Sequence, residues 1–404
     1  MNDEQLTAIE RLCDEASGGR VDHHLLERAL GHPSPQSLAE GRVAAWKDRA
    51  VVAVTSEKQP CFVLDDNQSE PLRRVPGTPA WYREFLVTQG LTHRIRLFLG
   101  DDLLTDTDVA GYGPLSHPLP SVSVGKELGP FSLRSRVYVD ADICYRLRIS
   151  AGVAADVPAP MMIWFDGDYF SGGLDMLAYR LGVVTDNLVH LGRIPPLVHV
   201  LIDPAQGRRS EQYDAVSSRL GDHVFGEIIP DAERHVRLRR DGYSVAAGGE
   251  SSGAAASFGL AWFHNDSVTR VHSGIGSFTG LEGADLPEPR GAFIYSHLVR
   301  RERRNIRIWM SDGSRDLNAG GDDSAFAKAG SWPLANVTLA DSLGRSGYDV
   351  AFRFGSAGHN GAQGALDLPE SLTWLWRDYD PRLTSAIFAG AVTGFQIKLR
   401  EGTT

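Results

Sequence analysis

The segment that most limits what this chain can fold into is Ser244-Val245-Ala246-Ala247-Gly248-Gly249-Glu250-Ser251-Ser252-Gly253-Ala254. A short strand-like run leads into Gly249-x-Ser251-x-Gly253, and small residues follow as far as Phe258. Glycines two positions to either side of a serine suit a turn too tight for flanking side chains. Such a turn pushes the serine hydroxyl out at the C-terminal edge of a strand, where it is exposed and can act as a nucleophile. Ser252 competes for the role but lacks flanking glycines in register.

A nucleophilic serine needs a base and an acid, and in a strand–turn–helix setting of this kind they follow it in the order acid, then histidine. Four histidines lie downstream: His264, His272, His297 and His359. His359 sits in the glycine-rich run Phe354-Gly355-Ser356-Ala357-Gly358-His359-Asn360-Gly361, directly after the last expected strand, and is the expected base. His272 falls inside an apolar strand and reads as a satisfied core residue; His264 and His297 read as helix or loop positions. The acid should follow the preceding strand, where Ser311-Asp312-Gly313-Ser314-Arg315-Asp316 offers Asp316, preferred, and Asp312, with Asp322 and Asp323 further on. Two backbone donors must face the developing oxyanion. One is expected from the N–H of Ser252, the other from Phe165-Asp166-Gly167-Asp168-Tyr169 after an early strand.

The rest of the chain gives these residues a frame. Residues 3–31 read as two helical segments, with Leu6, Ile9 and Cys13 on one face and Asp22 as a cap for the second. Short strand-like runs at 42–48, 50–55, 60–65, 71–75, 81–87 and 92–99, punctuated by turn clusters, predict an antiparallel sandwich. The Gly/Pro/Ser/His-rich stretch 111–129 reads as a linker. Strands expected at 161–165, 197–202, 244–247, 268–272, 306–310 and 350–354 then alternate with helical stretches. That pattern predicts an α/β fold with a mostly parallel sheet covered on both faces.

Composition excludes several function classes. The net charge of −10 argues against general nucleic-acid binding. Three cysteines (Cys13, Cys61 and Cys144) without a CxxC pair exclude a disulfide framework and a zinc finger. No long apolar run predicts a membrane span, and Met1-Asn2-Asp3-Glu4-Gln5 lacks the features of a signal peptide, so a cytoplasmic protein is expected. Neither a cofactor nor a metal is expected. Arg300, Arg301, Arg303, Arg304 and Arg307 read as a solvated helix face. Arg209 is different: its loop follows the strand ending at Ile202 and lies on the same edge as Ser251, where it can contact an anionic ligand.

Together, Phe165-Asp166-Gly167, Arg209-Ser210-Glu211-Gln212-Tyr213, Glu227-Ile228-Ile229-Pro230, Gly249-Glu250-Ser251-Ser252-Gly253, Gly313-Ser314-Arg315-Asp316, Gly358-His359 and Leu372-Thr373-Trp374-Leu375-Trp376-Arg377 resemble the enterochelin (enterobactin) esterase-like, esterase D-type branch of the α/β-hydrolases. Upstream, Pro71-Leu72-Arg73-Arg74-Val75-Pro76-Gly77-Thr78 with Trp81-Tyr82 resembles the N-terminal immunoglobulin-like domain of those enzymes. The resemblance covers roughly residues 42–380 and implies a domain plan: an N-terminal helical segment (1–35), an immunoglobulin-like sandwich (40–122) and a catalytic α/β-hydrolase domain (125–384). The tail, 385–404, has no counterpart in it. The implied activity is a serine esterase that opens ester or lactone bonds of a ferric catecholate siderophore. Ser251 would be the nucleophile, His359 the base, Asp316 the acid and the Asp168 N–H an oxyanion donor, with Asp166 near the substrate. Two alternatives stay open: an esterase of carbohydrate-linked or other small esters, and a non-catalytic ligand-binding protein on a hydrolase fold.

Overall fold

A computed structural model describes residues 3–139, 141–171, 179–280, 293–320, 329–389 and 395–397. The candidate acids Asp322 and Asp323 and most of the C-terminal tail lie outside the described residues. The chain divides into two compact units. The first comprises Met1–Leu119, Gly172–Arg180 and Asn360–Leu366; the second comprises Pro120–Ser171, Leu181–His359 and Asp367–Thr404.

The first unit opens with helices Asp3–Ser17 and His23–Ala29, the second capped by Asp22, whose carboxylate accepts from the Leu25 N–H at 2.7 Å. Ile9, Leu12, Cys13, Leu25 and Leu26 are buried, as the spacing of the apolar residues requires. Eight strands follow: β1 (Arg42–Trp46), β2 (Arg49–Thr55), β3 (Cys61–Leu64), β4 (Glu70–Pro71), β5 (Arg73–Arg74), β6 (Ala80–Leu86), β7 (Thr92–Leu99) and β8 (Asp102–Ala110). They form two four-stranded sheets, β1-β2-β6-β5 and β4-β3-β7-β8, and every pairing is antiparallel. The strand expected at 71–75 is broken in two. β4 pairs with β3 and β5 with β6, so the chain crosses between sheets at the buried Leu72. β8 was not expected, because Asp-Leu-Leu-Thr-Asp-Thr-Asp is mostly polar and its first half is exposed or half-buried.

Among the described residues, the second unit is built on nine strands: β9 (Lys126–Arg134), β10 (Asp142–Ile149), β11 (Met161–Phe165), β12 (Val198–Ile202), β13 (Val245–Glu250), β14 (Arg270–Gly274), β15 (Arg307–Arg315), β16 (Asp349–Gly358) and β17 (Phe395–Ile397). Their order is β17-β16-β15-β14-β13-β11-β12-β10-β9. Pairing is parallel from β17 to β12 and antiparallel at β12–β10 and β10–β9. The chain leaves β11 outward to β12 and returns to β13 on the other side, so the strand order reverses at β11. In open parallel sheets a crevice at such a reversal is where ligands bind. Strands β11, β12, β13 and β14 are buried throughout, as a sheet covered on both faces demands.

The structure departs from two sequence expectations. Part of the stretch 111–129 read as linker is already strand, since β9 begins at Lys126. Within the tail, β17 extends the sheet beside β16, and before it Arg239 donates to Tyr379 Oη at 3.2 Å and Pro381 O at 2.6 Å. Arg307 is not a solvated helix residue. It is buried in β15 and its Nε donates to Asp349 Oδ2 at 2.7 Å.

Candidate active site

Ser251 joins the end of β13 to helix Ser252–Phe263 with φ 56° and ψ −123°, backbone angles that cost a non-glycine residue free energy. The surrounding glycines permit it. A Cβ on Gly249 would lie 2.5 Å from the Gly253 carbonyl carbon, and one on Gly253 would lie 3.1 Å from Asp166 Oδ2. The strand therefore turns into the helix with no room for side chains at the flanks, and the Ser251 hydroxyl is left facing outward.

Parallel strands end on one edge, so β13, β15 and β16 deliver their following residues to the same place. Asp316 follows β15, His359 follows β16, and the structure brings both to Ser251. His359 Nε2 lies 2.9 Å from Ser251 Oγ, and His359 Nδ1 lies 2.5 Å from Asp316 Oδ1. Asp316 is buried, with its carboxylate also accepting from the Leu317 N–H at 2.5 Å; the His359 side chain is one-fifth exposed. Such a chain can take a proton from a hydroxyl while the carboxylate fixes the imidazole tautomer and stabilises the imidazolium.

The other histidines are placed elsewhere. His264 Nε2 contacts Ser218 O at 2.9 Å, and His297 lies exposed on helix Phe293–Arg301. His272 is fully buried in β14, and burial lowers its pKa to about 3. It was expected to be a satisfied core residue, yet among the described residues neither ring nitrogen has a hydrogen-bond partner; Nε2 lies 4.0 Å from Glu250 Oε1, and the neutral ring packs 5.2 Å from Trp164.

Asp312 is not the acid that meets His359. It lies fully buried within β15, where its Oδ1 accepts from the Gly313 N–H at 2.7 Å. Burial, then the Asp316 charge, push its pKa well above the ordinary value. An acid held protonated in the folded state and ionised in the unfolded state makes folding take up a proton. Its stabilising contribution is complete below the unfolded pKa, about 3.9, and is lost as pH rises toward the folded value. Asp312→Asn keeps the shape without that titration. Its melting temperature is expected to match the unsubstituted protein near pH 4 and to exceed it increasingly toward pH 8. The stability gap should widen by up to about 1.4 kcal/mol per pH unit. Calorimetry across this range checks it, and a gap that is constant or narrows with pH would contradict a neutral Asp312.

Asp166 and Arg209 are also brought together. Arg209 Nε and Nη2 donate to Asp166 Oδ1 and Oδ2 at 2.8 and 2.7 Å, a two-pronged ion pair with the guanidinium two-fifths exposed. The guanidinium lies 5.5 Å from the ring centre of the buried Tyr213. Asp166 itself takes a left-handed conformation, φ 58° and ψ 54°, next to Gly253.

One expected oxyanion donor is contradicted. The Asp168 N–H already donates to Asp203 Oδ1 at 2.7 Å, and the Asp168 side chain pairs with Arg146, so this amide is occupied. The Ser252 N–H and, one residue before Asp168, the Gly167 N–H form no hydrogen bond among the described residues. Gly167 must be glycine, since a Cβ there would lie 2.4 Å from the Leu201 carbonyl carbon. Sequence reasoning also missed Ser277, whose Oγ lies 3.0 Å from Ser251 Oγ, and Trp332, whose Nε1 donates to Ser277 Oγ at 3.1 Å. The one signal for Ser277 was its place in Gly274-Ile275-Gly276-Ser277, another glycine-rich exit from a strand of the same sheet.

A hydroxyl–imidazole–carboxylate chain at the C-terminal edge of a largely parallel sheet defines the class: an α/β-hydrolase-type architecture with a serine-hydrolase arrangement. Comparison with solved structures gives the particular likeness, in fold, to enterobactin esterases. The enterobactin esterase of Shigella flexneri, crystallised in the presence of 2,3-di-hydroxy-N-benzoyl-glycine, matches with a TM-score of 0.58 at 14% identity over 85% of this chain and 97% of that one. The same enzyme in the presence of enterobactin matches at 0.57 and 15% identity, with the same coverage. The ferric enterobactin esterase of Salmonella typhimurium matches at 0.55 and 14% identity, over 82% of this chain and 94% of that one. No protein-family model and no curated protein matches the chain.

Proposed function

We propose that this protein is a serine esterase that opens ester or lactone bonds of an enterobactin-like ferric catecholate siderophore in the cytoplasm, so that iron is released. The observation that carries the esterase reading is the chain Ser251 Oγ–His359–Asp316, at 2.9 and 2.5 Å, on a strained strand-to-helix turn. The siderophore reading is supported by the fold likeness over 85% of the chain and by the partly exposed Arg209 beside Asp166. Catecholates are anionic, and on a chain of net charge −10 a placed arginine has to meet them.

In this reading Ser251 Oγ attacks the ester carbonyl as its proton passes to His359 Nε2. Asp316 stabilises the imidazolium, and the amides of Ser252 and Gly167 receive the oxyanion. His359 then protonates the departing alkoxide. A water molecule repeats the sequence on the acyl-enzyme and frees the acid. The first unit, with its two antiparallel sheets, is read as an immunoglobulin-like domain.

The test is mass spectrometry of products after incubation with a cyclic catecholate tri-ester, iron-free and ferric, beside p-nitrophenyl acetate. Ring opening and shorter fragments, each broken bond gaining one water, are expected. Turnover of the aryl ester with every tri-ester left intact would overturn the siderophore reading and leave an esterase of other small esters.

A further inference from the structure

Among the described residues two side-chain polar groups touch Ser251 Oγ, and the proposed mechanism uses one of them, His359 Nε2. The other, Ser277 Oγ, lies 3.0 Å away and is buried. Behind it the buried Trp332 donates from Nε1 to Ser277 Oγ at 3.1 Å. An indole N–H can only donate and an ionised carboxylate can only accept, so the ends of this chain are fixed at Trp332 and Asp316. Between them each hydroxyl and the neutral imidazole have one proton to give. If every buried group is satisfied, Trp332 donates to Ser277, Ser277 to Ser251, Ser251 to His359 Nε2, and His359 Nδ1–H to Asp316. The opposite sense would leave the buried Ser277 hydrogen without an acceptor, at a cost that native structures avoid.

We propose that Ser277 is a further catalytic residue, whose hydroxyl, held by the Trp332 indole N–H, donates to Ser251 Oγ and stabilises the charge that develops there. This rests on the serine-esterase reading. Ser251 Oγ has two lone pairs: one takes the Ser277 hydrogen and the other stays free for the carbonyl carbon. As the Oγ–C bond forms, the Ser251 proton goes to His359 Nε2, the carbonyl π pair moves to the carbonyl oxygen, and Ser277 keeps its own proton. When the acyl-enzyme is hydrolysed, the C–Oγ pair returns to Oγ and His359 returns a proton, with the Ser277 hydrogen bond strengthening as charge builds. A hydrogen bond that strengthens with charge lowers the barrier rather than the substrate's dissociation constant.

Ser277 is held in place from two sides. Its N–H donates to Ser251 O at 3.0 Å, so residue 277 grips residue 251 through backbone and side chain together. Asn336 Nδ2 donates to Gly276 O at 2.8 Å and to Trp332 O at 3.1 Å, tying this loop to helix Trp332–Arg345. The Trp332 ring also stands edge-on to His359, with centroids 5.9 Å apart. Trp332 is therefore a positioning residue that supports both neighbours of the nucleophile.

The test compares Ser277→Ala, Ser277→Thr and Trp332→Phe by kcat and KM on p-nitrophenyl acetate, by fluorophosphonate labelling rate at Ser251, and by melting temperature. Ser277→Ala is expected to lower kcat and the labelling rate by about 10- to 100-fold, with KM within about twofold. Ser277→Thr should recover most of that loss, and Trp332→Phe should lose about 3- to 10-fold, the share of one neutral hydrogen bond. Labelling in Ser277→Ala at the unsubstituted rate would overturn the inference alone, as would a threonine variant as slow as the alanine variant. If the unsubstituted protein is not labelled at Ser251, the esterase reading falls and this inference falls with it.

Discussion

Ser251→Ala and His359→Ala are each expected to lower kcat on an activated ester by about 10⁶-fold, and the double variant by no more than either alone. The reason is geometric. The 2.9 Å contact between Ser251 Oγ and His359 Nε2 joins nucleophile and base into one unit, so removing either part removes the whole function of the pair. A residual rate of about 10³- to 10⁴-fold over water should persist, supplied by binding and the oxyanion amides. KM should change little. Steady-state kinetics on the three variants checks this, and additive losses would mean that the two residues act separately.

Asp316→Asn is expected to cost about 10⁴-fold in kcat, whereas Asp312→Asn should stay within about tenfold of the unsubstituted protein. Asp316 Oδ1 faces His359 Nδ1 at 2.5 Å, and an amide there can present a donor and hold the wrong imidazole tautomer. Asp312 does not reach His359. Its carboxyl is buried one step back in β15, where burial and the Asp316 charge push its pKa well above the ordinary value, and its Oδ1 accepts from the Gly313 N–H, a bond that an amide oxygen can also accept. The reverse ranking in a kinetic comparison would move the acid role to Asp312.

The sequence revealed those parts of the site whose chemistry is local. The turn around Ser251 needs glycine at positions 249 and 253, so it announces itself within five residues. His359 and Asp316 follow from chain order and from glycine-rich strand exits, although two aspartates at the end of β15 kept the acid ambiguous. Both are buried, and their place along the chain separates them: position 312 is still inside β15, whereas position 316 has left it and reaches His359. The Asp168 amide could not be excluded from sequence, because its competitor, Asp203, lies 35 residues away. Ser277 and Trp332 were invisible for a similar reason, since they are 55 residues apart and meet only when the sheet edge assembles.

Fold legibility follows the same division. Buried parallel strands such as Met161–Phe165 and Val198–Ile202 are continuous apolar runs and read easily. β10 carries a plain alternation, with Ile143, Tyr145, Leu147 and Ile149 buried between the more exposed Asp142, Cys144, Arg146 and Arg148. β8 and β9 had less to show, since most of their residues are exposed or half-buried and their place is set by pairing with β7 and β10. β17 lies in an alternation, Phe395-Gln396-Ile397-Lys398-Leu399, too short to place it beside β16 without the pairing itself.

The most direct test of the account is to treat the protein and its Ser251→Ala variant with a fluorophosphonate, map the adduct by peptide mass spectrometry, and follow p-nitrophenyl acetate hydrolysis in parallel. The account predicts one adduct, on Ser251, and loss of both adduct and turnover in the variant. An adduct on another residue, or turnover that survives Ser251→Ala, would contradict it.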